Sequence, residues 1–385
     1  VSTMSGYRGE VNDFSFDALR RWPDAEESNL FAVDAADRLM LDEAATALTS
    51  AGPGDVVVVG DNYGALSLGA AATHAVADVR VHQDERVGEL ALARNAAELE
   101  LADALRSMPL EPELLSGAKI VLLRLPRSLD ALDEVAALIA AHADPAVTVY
   151  AGGMIKHMAL AMNEVLGHHF AGVQPGRARQ KARVLTVTGP VADATGTAWP
   201  KRQFHDNLGL WVCAHGGAFA GTRIDIGTRF LLDTLSEAKP DAASAIDLGC
   251  GTGVVASALA LARPGITVLA TDQSAAAVAS ARATAEANGV SDHVRVLRDD
   301  GLASQLDASA ELILLNPPFH VGATVHTGAA VRLFEDAARV LAPGGELWTV
   351  FNSHLGYRPI LNRLIGPTRQ VARNTKFTVT VSTRR

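Results

Sequence analysis

Ala245-Ile246-Asp247-Leu248-Gly249-Cys250-Gly251-Thr252-Gly253-Val254 is the stretch whose reading decides the fold. An apolar run ending at Leu248 reads as a buried strand, the alternating glycines as a tight turn, and the Ala-rich residues after Val254 as a helix. Working outward, apolar strands and Ala-rich helices alternate, with strands expected at 244–248, 266–271, 293–298, 311–316, 345–351 and 376–382. The helical pattern from Ala275 to Asn288 ends at Gly289, a residue suited to a left-handed helix stop. Such alternation implies an α/β fold, a mainly parallel sheet covered by helices on both faces. Ligands of these sheets bind beyond the carboxyl ends of the strands, near the switch point.

The same plan is written earlier in the chain. Val56-Val57-Val58-Val59-Gly60-Asp61-Asn62-Tyr63-Gly64-Ala65 resembles the quoted stretch. Asp84 precedes Ala93-Arg94 as Asp272 precedes Ala281-Arg282, and Ile120 to Pro126 matches Leu312 to Pro318. Arg179-Gln180-Lys181-Ala182-Arg183 echoes Arg369-Gln370-Val371-Ala372-Arg373. Matches in one order indicate an internal repeat, hence two α/β domains, 1–190 and 202–385, joined through about Pro190 to Lys201. The copies differ in chemistry. Asn62 and Tyr63 stand where the later turn has small residues, and would obstruct a close backbone approach to a ligand. The first domain is therefore expected to be degenerate: it keeps the scaffold and serves RNA binding, support of the second domain, or both.

Composition narrows the class. A chain of 385 residues is long for one core. With 48% apolar and 20% charged residues it reads as globular. It has no apolar run of about eighteen residues that would span a bilayer. Val1 to Asn12 lack a basic stretch followed by an apolar core, so no secretion signal is expected. Cys213 and Cys250 have neither metal-ligand spacing nor the density of a disulfide scaffold, and the cytoplasm is the default compartment. A net charge of -9 argues against indiscriminate coating of nucleic acid. Local basic clusters, at Arg177, Arg179, Lys181 and Arg183, at Lys201 and Arg202, and from Arg363 to Arg385, are either solvated faces or surfaces for RNA.

The candidate site lies at strand ends. A lone glycine-rich turn is weak evidence, but Gly249-x-Gly251-x-Gly253 departs from the hydride-transfer spacing. Asp247 before it would repel a pyrophosphate and suits an ammonium group, which S-adenosyl-L-methionine carries. Asp272 can accept ribose hydroxyls, and Asp299 or Asp300 the adenine amino group. Any one of these acids could instead be a helix N-cap, and it is their succession at strand ends that favours a cofactor site. Asn316-Pro317-Pro318-Phe319 follows an apolar strand. Two prolines end the ladder and hold the preceding Asn extended. A simple strand stop would use the same residues. As a site, the turn presents an amide, two carbonyls and an aromatic face to a planar base with an exocyclic amine.

On these motifs the second half resembles the class I S-adenosylmethionine-dependent methyltransferases, and Asn-Pro-Pro-Phe-His resembles the ribosomal RNA guanine-N2 methyltransferases. That family has a duplicated domain whose first copy has lost the cofactor, so the resemblance implies two tandem Rossmann-like domains. Phe219 to Phe230 resembles the segment that helps close over the cofactor, which adds Asp225 to the cofactor-binding set. Trp22-Pro23, Asn352 to Tyr357 and Ala372 to Phe377 look more like the branch acting on large-subunit RNA than the small-subunit branch. The resemblance implies that Asn316 and the Pro317 carbonyl grip the guanine amine, Asn316 also borders the cofactor, Pro318 stiffens the turn and Phe319 stacks on the base. His320 is read as positioning or RNA contact rather than as a general base. Arg223 and Asp225 either pair or position cofactor and loop, and His354 and Tyr357 reach the pocket or pack. Ribosomal RNA or a ribosomal subunit is the implied partner, with no metal, no membrane and a monomeric chain expected. Guanine-N2 methylation of small-subunit (16S) RNA is the alternative, followed by adenine-N6 methylation or a role as an assembly factor without catalysis.

Overall fold

The computed structural model describes residues 14–191, 198–318 and 326–385, the side chains of His326 and Thr327 excepted. The chain divides into two compact units, Val1–Gly196 and Thr197–Arg385. In the first, α1 (Ala35–Thr49) leads into β1 (Val56–Val59), α2 (Ala65–His74), β2 (Val79–His82), α3 (Arg86–Glu98) and β3 (Leu105–Ser107). Then come α4 (Pro112–Leu115), β4 (Ile120–Arg124), α5 (Leu129–His142), β5 (Thr148–Met154), α6 (Leu160–His169), β6 (Phe170–Pro175) and β7 (Ala182–Pro190). The second unit opens with the hairpin β8 (Lys201–His205) and β9 (Leu210–Ala214). It continues through α7 (Ile226–Leu232), β10 (Ser244–Leu248), α8 (Val254–Ala262), β11 (Thr267–Asp272), α9 (Ala275–Ala287), β12 (Val294–Arg298) and β13 (Ala310–Leu315). It closes with α10 (His326–Val340), β14 (Leu341–Asn352), α11 (Arg358–Leu364), β15 (Thr368–Arg373) and β16 (Phe377–Thr383).

Each unit carries one mixed sheet, ordered β3-β2-β1-β4-β5-β7-β6 and β12-β11-β10-β13-β14-β16-β15. The two orders are the same plan. Each chain starts mid-sheet, steps outward twice, then crosses to the other side of its first strand. Five strands run parallel and the next, β7 or β16, enters antiparallel. The fold is α/β with two Rossmann-like sheets, as the alternation of the sequence indicated. Neither face of β10 or β13 is wet. Ile246, Leu248, Ile313 and Leu315 pack with Phe334 on one side, and Ala245, Leu312 and Leu314 with Leu259 and Trp348 on the other. Continuous apolar runs are the expected signature of strands buried on both faces.

Register identifies equivalent positions. Val59 pairs with His82 and Leu123, as Leu248 pairs with Thr271 and Leu315. Gly60 thus corresponds to Gly249, and Arg124 to Asn316. The other two sequence matches shift. Gln83, not Asp84, stands where Asp272 does, so the Asp84 match is one residue out of register, about 100° around the following helix. Arg179 lies before β7, whereas Arg369 to Arg373 lie within β15, the neighbour of the equivalent strand β16. That match rests on shared basic composition. β15 itself was not expected, because its alternation is short and interrupted by charge.

A buried carboxylate supports the first turn of the helix after each central strand. Asp61 Oδ1 and Oδ2 accept from Leu66 N at 2.7 Å and Ser67 N at 2.9 Å. Asp247 Oδ2 accepts from Ala256 N at 3.0 Å. Ser67 and Ala256 are equivalent, but Asp61 comes from the turn and Asp247 from within β10. The helix end has orphan N–H groups that need an acceptor, and each copy found its own.

Gly253 (φ +73°) serves packing as well as conformation, since a Cβ there would stand 2.8 Å from Ala281 Cβ and 2.9 Å from its Cα. Gly253→Ala is expected to cost about 1–3 kcal/mol through overpacking and strain, read as a lower urea midpoint. Gly265→Ala, where a Cβ meets nothing within 4 Å, is the control and should leave the midpoint nearly unchanged.

Candidate active site

The switch point of the second sheet lies between β10 and β13, and the glycine turn and Asn-Pro-Pro leave those two strands side by side. Gly249 N and Cys250 N both donate to Thr271 O, at 2.8 and 2.9 Å, which fastens the turn to β11. Gly251 N donates to Asp272 Oδ2 at 2.9 Å. Gly249 and Gly251 have φ of +69° and +53°, and a Cβ on either would meet nothing within 4 Å. Conformation alone does not demand glycine at 251, because the equivalent Asn62 adopts φ +59°. The bare face is what distinguishes the second turn, and it leaves backbone open to a ligand.

The acids have separate tasks. Asp272 Oδ1 accepts from Ser274 N at 2.9 Å, so one carboxylate links the glycine turn to the N-cap of α9. Asp247 is buried, with the α8 contact described above. Burial foremost, with nearby Asp272 adding, pushes its pKa up to about 7 against the pull of the Ala256 N–H. Asp299 turns into its own loop: Oδ1 accepts from Asp300 N at 3.0 Å, Oδ2 from Ser304 N at 3.0 Å and Ser304 Oγ at 2.7 Å. Its N–H donates to Asp272 O at 3.0 Å, placing that loop beside the turn. Asp300 is half-buried and approaches Arg332 at 3.3 Å.

At the other edge, Asp225 is the N-cap of α7, and its Oδ2 accepts from Gly227 N at 2.8 Å and Thr228 N at 3.3 Å. Asn316 Nδ2 donates to Thr228 Oγ1 at 2.9 Å and to Asp225 Oδ2 at 3.4 Å. A carboxylate oxygen only accepts, so the amide nitrogen must face it. Asn316 Oδ1 is then left buried and without a hydrogen-bond partner among the described residues. Leaving such an acceptor unmet costs about 1–3 kcal/mol, and a ligand N–H would satisfy it. Pro317 is buried and Pro318 exposed. Phe319 and His320 lie outside the described residues.

The first unit holds the same corner in a closed form. Asp34 is the N-cap of α1 and Asp37 stands three residues on, as Thr228 does from Asp225. Arg124, at the Asn316 position, donates to both carboxylates. Burial pushes Asp37 up to about 6 despite the guanidinium, while for Asp34 the Arg124 contacts outweigh burial and lower it. Sequence reading missed this correspondence, although Asp34-x-x-Asp37-Arg38 against Asp225-x-x-Thr228-Arg229 was there to find.

The remaining candidates fall away from this corner. Tyr357 is buried against Phe334 and Phe351, with ring centroids 5.3 and 5.4 Å away, which is core packing. His354 is exposed on the turn after β14, and Arg223 is exposed with no ion pair to Asp225 among the described residues. Both cysteines are buried and free, and burial first of all raises the Cys250 thiol well up. No group of three His, Cys, Asp or Glu residues arranged for a metal occurs among the described residues. No described helix is long and apolar enough to cross a membrane.

Residues 209–381 match the Methyltransferase small domain family, and residues 10–190 the RLMG N-terminal domain family. Over 379 residues the chain is 36% identical to Ribosomal RNA large subunit methyltransferase G of Streptomyces avermitilis, spanning 94% of this chain and 95% of that protein. The chain belongs to the ribosomal RNA large subunit methyltransferase G family. A relative of the same name from Pseudomonas entomophila is 36% identical over 94% of this chain and 96% of its own length. Membership in the methyltransferase G family agrees with the resemblance read from the motifs, and makes this chain an S-adenosylmethionine-dependent methyltransferase. Among solved structures, the T. thermophilus 16S rRNA guanine-N2 methyltransferase (RsmC), determined with AdoMet and guanosine, superposes with a TM-score of 0.72. It is 22% identical and spans 91% of this chain and 92% of that one, a likeness that speaks for the fold of the whole family member.

Asp247 gives a pH test. Its folded value near 7 exceeds the unfolded value near 3.8, so the folded state keeps a proton that the unfolded chain has lost. Stability contributed by the neutral form is therefore lost as pH rises from about 4 to about 7, by at most about 1.4 kcal/mol per unit. The melting temperature of Asp247→Asn is expected to rise progressively relative to the parent chain between about pH 4 and pH 7, and the difference to level off above. A constant difference in melting temperature across that range would remove the buried charge from the account.

Proposed function

We propose that this chain transfers the methyl group of S-adenosyl-L-methionine to the N2 amine of a guanine in large-subunit (23S) ribosomal RNA. The second unit, residues 202–385, is the catalytic domain, and residues 1–190 form a degenerate copy that binds RNA or braces its partner. The observation that carries the reading is the buried Asn316 Oδ1, without a hydrogen-bond partner among the described residues, directly after the strand that neighbours β10 and its bare glycine turn. The names of its relatives support ribosomal RNA of the large subunit as substrate.

The donor set suits this cofactor. Bare faces at Gly249 and Gly251 admit close contact, with Gly253 holding the turn against α9, and Asp272 offers acceptors to ribose hydroxyls. Asp247, buried beneath the turn and tied to α8, supports it from below, while Asp272 is the carboxylate that makes the turn unfavourable to phosphate. Asp299 shapes the loop beside the turn, Asp300 borders it, and Asp225 holds the neighbouring edge together with Asn316. Bound there, S-adenosylmethionine supplies a sulfonium-activated methyl group. Asn316 Oδ1 accepts one N–H of guanine N2 and the Pro317 carbonyl the other, which favours a tetrahedral nitrogen and fixes its lone pair. Well-oriented reactants gain up to roughly 7–11 kcal/mol relative to free encounter. Phe319 is assigned to stack on the base, worth about 1–3 kcal/mol, which requires the guanine to be unpaired or flipped.

Asp225 and Thr228 do not touch the base. They hold the amide nitrogen so that the oxygen faces it. Asn316→Ala is expected to lower kcat by about 100-fold or more, with S-adenosylmethionine binding retained in calorimetry. Thr228→Val is expected to lower kcat about 10-fold with KM for the cofactor unchanged, and Thr228→Ser to restore it; full activity in the valine variant would dismiss Thr228 as a positioning residue. Mass analysis of nucleosides from labelled 23S and 16S RNA identifies the product. N2-methylguanosine in 23S RNA is expected, and N6-methyladenosine, or label confined to 16S RNA, would overturn the assignment.

A further inference from the structure

The hairpin β8–β9 stands outside the main sheet of the second unit. Two-stranded hairpins are marginal alone, and α9 with its C-cap residue Asn288 supports this one. His215 N donates to Ser280 Oγ at 2.9 Å, and Cys213 N to Thr284 Oγ1 at 3.0 Å. Thr284 Oγ1 also reaches Cys213 O at 3.2 Å. Asn288 Oδ1 accepts from Trp211 N at 2.9 Å while its Nδ2 donates to Trp211 O at 2.8 Å. Strand residues two apart meet helix residues four apart because both spacings are about 6–7 Å. The side chains of Ser280, Thr284 and Asn288 thus bond β9 as a neighbouring strand would, and they hold it rigidly.

One face of the hairpin packs inward, with Leu210 and Val212 against Ile224 and Val254. The opposite face carries Phe204 and Trp211 as cross-strand partners, with ring centroids 5.2 Å apart and inclined at 54°. They remain 42% and 38% exposed. Arg202, on the same face as Phe204, holds its guanidinium 5.2 Å from the centre of the Trp211 ring. Residues 198–205 include Lys201 and Arg202 and contain no Asp or Glu. Two aromatic rings kept in water beside a cation, on a braced mount, in an acidic protein, are arranged for a polyanion with flat apolar groups.

We propose that this outer face of β8–β9 is a stacking surface for unpaired bases of the RNA substrate, with Phe204 and Trp211 as the rings and Arg202 as the cation beside them. The proposal rests on the reading of RNA as substrate. Every base has a π-face, so such a surface binds single strands without demanding sequence. Arg202 adds phosphate attraction and a planar group that stacks. Mounting on α9 means that little ordering is required on binding.

Two measurements test it: anisotropy with a fluorescein-labelled single strand of ten uridines, and methylation kinetics on deproteinised ribosomal RNA. Trp211→Ala is expected to weaken oligonucleotide binding about 10-fold and to raise KM for RNA, with calorimetric affinity for S-adenosylmethionine unchanged. Trp211→Phe should retain most of the binding. Arg202→Ala should flatten the logarithmic salt dependence by about one unit, while Trp211→Ala leaves that slope alone. Unchanged RNA affinity and KM in the combined Phe204→Ala and Trp211→Ala chain, beside an active parent, would overturn the surface and leave the methyltransferase reading intact. A lower melting temperature with intact RNA binding would assign the rings to a protein contact and also overturn it. A parent chain that methylates no ribosomal RNA would overturn the substrate reading, and the stacking surface with it.

Discussion

A parallel sheet that begins in its middle sends successive strands outward in two directions, and a crevice opens above the carboxyl ends of the two strands at the reversal. The adjacency of β10 and β13 is that constraint in this chain. It brings the glycine turn beside Asn316 although the two are far apart in sequence. Asp272 on one side and the N-cap of α7 on the other then fix the walls. Topology prepares that crevice, and each wall of it is tied down by hydrogen bonds.

The duplicated unit separates what the fold needs from what the reaction needs. Both copies keep the sheet order, a carboxylate under the helix after the central strand, and an Asp N-cap facing the end of the fourth strand. These are the demands of folding: orphan N–H groups need acceptors and parallel strands need cover. What differs is open space and charge. Asn62 stands in the place of Gly251, Gln83 in that of Asp272, Asp37 in that of Thr228 and Arg124 in that of Asn316. A guanidinium between two carboxylates is bound to both, whereas the amide leaves one oxygen without a partner among the described residues.

Much of this was legible beforehand. Continuous apolar runs located strands such as Ser244–Leu248 to the residue, because burial on both faces leaves no ambiguity of alternation. Asn316 and the glycines stood out because Pro and Gly restrict the backbone in ways no other residue does. The register of the repeat was less accessible. Asp84 and Asp272 differ by one position in the fold, and identity of residue type hid that displacement. The bracing of Asn316 by Thr228 was invisible too, since a threonine in the first turn of a helix has no distinctive spacing relative to a strand end so far along the chain. Asp247 shows the converse. Its motif was read for ligand chemistry, while the contact it makes is to a helix N–H that any buried turn must satisfy.

The Arg124 cluster also bears on the history of the chain. Exchanging that arginine for the asparagine of the other copy would leave Asp34 and Asp37 facing each other with no counter-charge, Asp37 in a buried position. Removing one partner of such a pair typically costs about 3–5 kcal/mol, a large part of the stability of an ordinary domain. Passage of this corner to the form found in the second unit would demand coordinated changes at 37 and 124, because either exchange alone leaves charge without its partner. The salt bridge thus works as a ratchet against single substitutions.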